Sequence, residues 1–190
     1  FKVTDAPEIH SNGYHFKFNR SEPADLLGYV VPHWVAPSIP IDRGATTVVL
    51  PAKPGREFEP EMLTDLNGTL LLFLEKLRKL EVHTGDTTVR HLREDDGPIT
   101  TLTTDTTSPD SVNVSTRSIY LRTRSTLDMS GIAEPKRENV GTADLVLAFP
   151  LSEEGEAAPI VSCPTYAFLP ISEFGFNFCI QGDFILISSR

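Results

Sequence analysis

The stretch PITTLTTDTTSPDSVNVSTRSIYLRTRSTL, residues 98–127, limits what this chain can fold into more than any other part of it. Threonine and valine crowd it and helix formers are scarce. β-Branched side chains lose rotamer freedom against the preceding turn of a helix, but they pack well on a pleated surface. The run therefore predicts two strands around a Ser108-Pro109-Asp110 turn. Interleaved Val, Ile and Leu argue against disorder despite the biased composition.

Strand signals continue on both sides. LEVHTGDTTVRHLRED, residues 80–95, sets Thr84-Gly85-Asp86 between two alternating runs and reads as a hairpin. ADLVLAFPL (143–151), PTYAFLPI (164–171) and the closing FNFCIQGDFILISSR (176–190) read as apolar strands, and the charged SGIAEPKRENVGT (130–142) as a surface loop. Near the start, GYHFKFN alternates Tyr14, Phe16 and Phe18 against His15 and Lys17 after an Asn12-Gly13 turn, and Thr46 to Leu50 form a short strand stopped by Pro51. Between them, LGYVVPHWVAPSIP is punctuated by Pro32, Pro37 and Pro40, which disfavours a helix and predicts an irregular segment packed on the sheet.

Residues 53–82 differ in kind. Met62, Leu63, Leu66, Leu70, Leu71, Leu74 and Leu77 recur at steps of three and four, and Pro60 suits a first helical turn. A helical connector over 57–80 is expected, broken at Asn67-Gly68, with its leucines toward a core and Glu75, Lys76, Arg78 and Lys79 toward water.

Composition narrows the classes of partner. The 190 residues carry a net charge of -9, and Lys and Arg are scattered among 26 acidic residues, which argues against a nucleic-acid partner. No apolar run is long enough to span a bilayer, because GTLLLFLEKL meets Glu75 after only about six apolar residues. Cys163 and Cys179 read as buried free thiols rather than a disulfide, and a zinc site needs more ligands than these two; a reducing compartment follows. Phe1 is not a methionine, no signal peptide opens the chain, and the final strand-like run stops on Ser188-Ser189-Arg190. A segment of a larger protein is expected.

The residues themselves carry little chemistry. Glycine-rich phosphate loops, nucleophile elbows and H-E-x-x-H helices do not occur, and the five histidines, His10, His15, His33, His83 and His91, share no metal-ligand spacing. Asp95-Asp96 and Glu153-Glu154 sit among turn residues and read as solvated charges. Sequons at Asn19, Asn67 and Asn113 read as coincidence in a chain so rich in Ser and Thr, with glycan acceptors of a secreted β-domain as the rival.

Several phrases in one order carry more. FKVTDAPEIHSNGYHFKFN, LGYVVPHWV and GATTVVLPAK resemble the second half of a Bergerat-fold ATPase domain of the gyrase, chaperone, histidine kinase and mismatch-repair (GHKL) superfamily, in the variant of the sacsin and No Vein-like group. ADLVLAFPL, YAFLPI and GFNFCIQGDFILISSR resemble the same group just beyond that domain. The resemblance implies an α+β segment: 1–56 as the end of the ATPase domain, an α/β sandwich, 57–80 as the helical connector, and 81–190 as the β-rich start of a middle domain. It implies a large intracellular parent in which ATP with Mg2+ drives clamping or remodelling of a protein client, with no nucleic acid and no membrane. A non-catalytic scaffold derived from that fold is the alternative.

The superfamily's water-activating glutamate, magnesium-holding asparagine, adenine-reading aspartate and glycine-rich lid should all precede Phe1. The segment alone is thus expected neither to bind nor to hydrolyse ATP, and turnover by the parent stays open. Thr46 or Thr47 matches the family's late Gly-Thr motif, where a hydroxyl meets the purine edge or an ordered water; simple β-propensity explains these threonines equally well. FILISSR resembles a chaperone loop whose arginine reaches the terminal phosphate, which makes Arg190 a phosphate sensor or, equally, an ordinary arginine closing a strand. Gln181 is a weaker polar contact to that loop, and reads more simply as a strand-edge glutamine.

Overall fold

The computed structural model describes residues 4–19, 31–42, 44–55, 63, 66–109, 112–131, 140–158, 163–167 and 169–184. It divides into two units, Phe1–Glu59 and Pro60–Arg190.

The first unit is a four-stranded antiparallel sheet. β1 (Glu8–Ser11) turns through Asn12-Gly13 into β2 (Tyr14–Phe18); β3 (Pro32–Trp34) lies against β2, and β4 (Thr46–Val49) against β1, in the order β3-β2-β1-β4. Both turn residues have positive φ, 48° and 83°, as a two-residue hairpin loop requires. The proline-punctuated stretch holds no helix in its described part, but it is not merely draped on the sheet either. Pro32 begins β3 on the sheet edge, where a missing N–H does no harm, and Trp34 pairs with Phe16.

The second unit is an eight-stranded sheet, ordered β11-β10-β12-β9-β8-β7-β6-β5. Its strands are β5 (Lys79–Thr84), β6 (Thr87–Asp96), β7 (Ile99–Thr107), β8 (Val114–Asp128), β9 (Thr142–Leu151), β10 (Pro164–Ala167), β11 (Leu169–Glu173) and β12 (Cys179–Gly182). Two-residue turns led by Gly85 and Gly97, each at φ 57°, close the first two hairpins. From β5 to β9 the chain is a simple antiparallel meander, and β12 inserts between β9 and β10, parallel to β10.

Period-two alternation gives this sheet one packed face. His91, Arg93 and Asp95 on β6 share that face with Thr100 and Leu102 on β7, Tyr120 and Arg122 on β8, Ala148 on β9, Cys179 and Gln181 on β12 and Tyr166 on β10. Leu102, Tyr120, Ala148, Cys179 and Tyr166 join Leu70–Phe73 and Cys163 in the core. The opposite face is solvated and laced with pairs such as Arg90–Glu81 and Ser115–Asp105.

The α+β expectation is overturned. Apart from short 3-10 turns the described residues contain no helix, and the architecture is nearly all β. Part of the expected connector, 57–62 with 64 and 65, lies outside the described residues. Where it is described, it has 3-10 backbone at Leu63 and a 3-10 turn at Gly68–Leu72, followed by the start of β5 at Lys79. Three consecutive leucines, Leu70, Leu71 and Leu72, are buried at 3%, 0% and 0% exposure, whereas Leu66 and Leu77 of the supposed stripe are exposed. Burial of neighbours in sequence, rather than of every third or fourth residue, is what a short plug pressed into a concave sheet requires. Among its described residues the four-stranded first unit likewise shows no helix to make an α/β sandwich.

Candidate functional site

The plug creates a chemical problem that arginines solve. The last carbonyls of a helical turn have no intrahelical partner, and buried ones need a donor. Arg93 donates to the Leu71 carbonyl at 2.7 Å, and Arg122 reaches the Leu72 carbonyl at 3.4 Å. Arg93, with 1% of its side chain exposed, also closes on both oxygens of Asp95 at 2.9 and 2.8 Å, and Asp95 accepts from Thr100 at 2.7 Å. Burial pushes the Asp95 carboxyl up, but the hydrogen bonds from Arg93 and Thr100 and the charges of Arg93 and Arg122 outweigh it and hold the group below the usual carboxylate range.

Next to this network a cavity of about 390 Å3 opens, lined by Glu75, Arg78, Arg93, Arg122, Thr123 and Arg124. Arg78 pairs with Asp95 at 3.4 Å, and Arg124 is held by Glu75 and by Asp144. Arg122, half-buried on β8, has no carboxylate within ion-pair distance among the described residues. Burial, then repulsion from Arg93, lowers its pKa. A neighbouring cavity of about 450 Å3 shares Glu75 and Arg124 and is lined further by Asp144, Gln181 and Asp183.

The residues singled out from sequence fall elsewhere. Arg190 lies outside the described residues. Thr46 is exposed on the edge strand β4, its hydroxyl 2.7 Å from that of Ser11, and Thr47 stands opposite His10. Gln181 is no edge residue: it sits on β12 between β9 and β10, 8% exposed. The four arginines were missed because they are spread over 47 positions of sequence, from Arg78 to Arg124; only the register from β5 to β8 brings them together.

In the first unit, His10 is fully buried, its Nδ1 3.2 Å from Nδ1 of His15 and its Nε2 3.5 Å from the Glu8 carboxylate. On the edge formed by β2 and β3, Tyr14 and Trp34 stack with ring centroids 6.1 Å apart and planes 27° from parallel, yet stay 61% and 75% exposed. Among the described residues no group of three His, Cys, Asp or Glu could hold a metal, and no helix is long and apolar enough to cross a membrane.

The whole chain is similar to a segment of Protein NO VEIN of Arabidopsis thaliana, 33% identical over 222 aligned residues. It spans about 7% of that relative's length. No family model and no solved structure matches the chain.

Proposed function

We propose, from the premise that this chain is No Vein-like along its whole length, that it is a protein-interaction portion of a much longer, chaperone-like GHKL ATPase, in which ATP with Mg2+ drives clamping or remodelling of a protein partner. The observation that carries the interaction role is the exposed Tyr14–Trp34 stack on the edge strand β3. Stacked aromatics left in water offer a large, rigid apolar contact, and an edge strand offers unpaired backbone groups to an added strand. In this reading the nucleotide machinery lies N-terminal to Phe1, and this chain contributes Arg190 toward the terminal phosphate and Thr46 or Thr47 toward the purine edge.

The second reading is a non-catalytic scaffold, which the same aromatic edge supports because docking on it needs no nucleotide. Calorimetric titration of ATP with magnesium separates the two. The chain alone is expected to give no heat of binding beyond what inorganic phosphate at equal concentration gives, and a longer polypeptide extended N-terminally through the expected lid is expected to bind, more weakly with Arg190→Ala. Absence of binding to the longer polypeptide overturns the ATPase and leaves the scaffold. Undiminished recovery of partner proteins by Trp34→Ser overturns the interaction surface in both.

A further inference from the structure

We propose that the arginine-lined cavity of the second unit binds a phosphate dianion, as inorganic phosphate or as a phosphate monoester, with Arg122 as its principal ligand. The proposal is independent of the ATPase reading, since it uses neither Arg190 nor the first unit.

Four guanidiniums against the single carboxylate of Glu75 line this cavity, in a chain whose net charge is -9. Such a concentration of one sign needs a counter-charge. Three of the four already have one: Arg93 and Arg78 share Asp95, and Arg124 has Glu75 and Asp144. Arg122 makes no ion pair among the described residues and feels Asp95 and Glu75 only at longer range; of its five N–H donors, one makes a long 3.4 Å contact to a carbonyl. A half-buried cation beside two others is unfavourable until an anion joins it, and the planar fork of a guanidinium matches two oxygens of a phosphate.

The surroundings fix the chemical class. Arg93 is locked by its bonds to Asp95 and Leu71, so the floor of the site is preorganised. The Glu75 carboxylate, with 62% of the side chain exposed, pairs with Arg124 alone among the described residues and competes for the same positive potential. After these pairings one positive charge is left over, four arginines against Asp95, Glu75 and Asp144, and phosphate is preferred to a single carboxylate because its several oxygens can accept from Arg122 and from a neighbouring guanidinium at once. About 390 Å3 admits a phosphate and the first atoms of whatever carries it.

The test is calorimetry and thermal unfolding of the 190-residue chain with inorganic phosphate, phosphoserine and succinate, each against sodium chloride at equal ionic strength. Phosphate is expected to bind and to raise Tm. Arg122→Gln should weaken it by about tenfold or more, and Glu75→Gln should tighten it by about threefold. Phosphoserine binding as well as phosphate identifies a phosphorylated side chain as an acceptable source; binding of inorganic phosphate alone identifies the free ion. No effect beyond that of chloride, or an Arg122→Gln chain that binds phosphate as the parent does, overturns the proposal. Succinate binding as tightly as phosphate overturns the assignment to phosphate. If Arg122→Gln fails to fold, Glu75→Gln decides at an exposed position, and unchanged phosphate affinity there sinks the site.

Discussion

Arg93 reaches from β6 to the carbonyl oxygen of Leu71 and closes on it at 2.7 Å, fastening the leucine plug to the sheet with a charged group that is itself almost wholly buried. Replacing it leaves a buried carbonyl without a donor and Asp95 without its main cation. Arg93→Met is therefore expected to cost about 3 kcal/mol of unfolding free energy, read as a lowered midpoint in urea, and Asp95→Asn should cost less. A midpoint for Arg93→Met within error of the parent's would show that the pair does not fasten the plug.

The start of the plug is as closely fitted as its end. A Cβ on Gly68 would come within 3.1 Å of Nδ1 of the buried His91, and the Asn67 side chain caps the turn by accepting from the Thr69 N–H at 3.0 Å. Gly68→Ala should destabilise by about 1–3 kcal/mol through overpacking, and Asn67→Ala by about 1 kcal/mol through loss of the cap. Thermal unfolding of both variants checks this, and an unshifted Tm for Gly68→Ala would mean that His91 moves freely.

His91 also gives the fold a pH dependence of known sign. Burial lowers its pKa below the ordinary 6.5, so at acidic pH the unfolded chain binds a proton that the folded chain resists. Stability contributed by neutral His91 is present above pH 6.5 and falls as pH drops from there toward the depressed folded value. Urea midpoints between pH 8 and about 5 should decline in the parent chain and decline less in His91→Gln. Equal slopes would remove His91 as the cause.

Cys179 is 1% exposed, and burial, with a hydrogen bond to Cys163, pushes its thiol well above the usual range. Thiolate is the reactive form, so alkylation by iodoacetamide at pH 8 should be slow in the native chain and fast in urea. Rapid native labelling at Cys179 would contradict its place in the core.

Trp34 is the chain's single tryptophan, which makes it a direct reporter. At 75% exposure its emission should be red-shifted and readily quenched by acrylamide, and Trp34→Ser should change unfolding free energy by no more than about 0.5 kcal/mol. Blue-shifted emission would mean that β3 is covered and unavailable to a partner.

The strands were legible because their signal is local. Threonine-rich 98–127, the Thr84-Gly85-Asp86 turn and the alternation from Tyr14 to Phe18 each announce a pleated ribbon without help from distant residues. The helix was misread because spacing alone cannot distinguish a stripe from a plug: Leu70 and Leu74 fit a helical period, but the burial of Leu71 and Leu72 between them is set by a concave sheet that follows in the chain. The arginine cavity was not legible for a related reason. Arg78, Arg93, Arg122 and Arg124 look dispersed among acidic neighbours, and only the pairing of β5 with β6 and of β6 with β8 through β7 turns dispersal into a cluster.

The placement of β12 sets an order of assembly. β5 to β9 are hairpin neighbours that can pair as each leaves the ribosome, because every contact is local. β10 and β11 cannot dock on that growing sheet, since the position beside β9 belongs to Cys179–Gly182, which is synthesised after both. Until then β9 presents an open backbone edge, and the β10–β11 pair waits unattached with Tyr166 out of its core. The nascent chain is thus most exposed to mispairing just before its twelfth strand emerges, the interval in which a holdase bound at β9 would matter most.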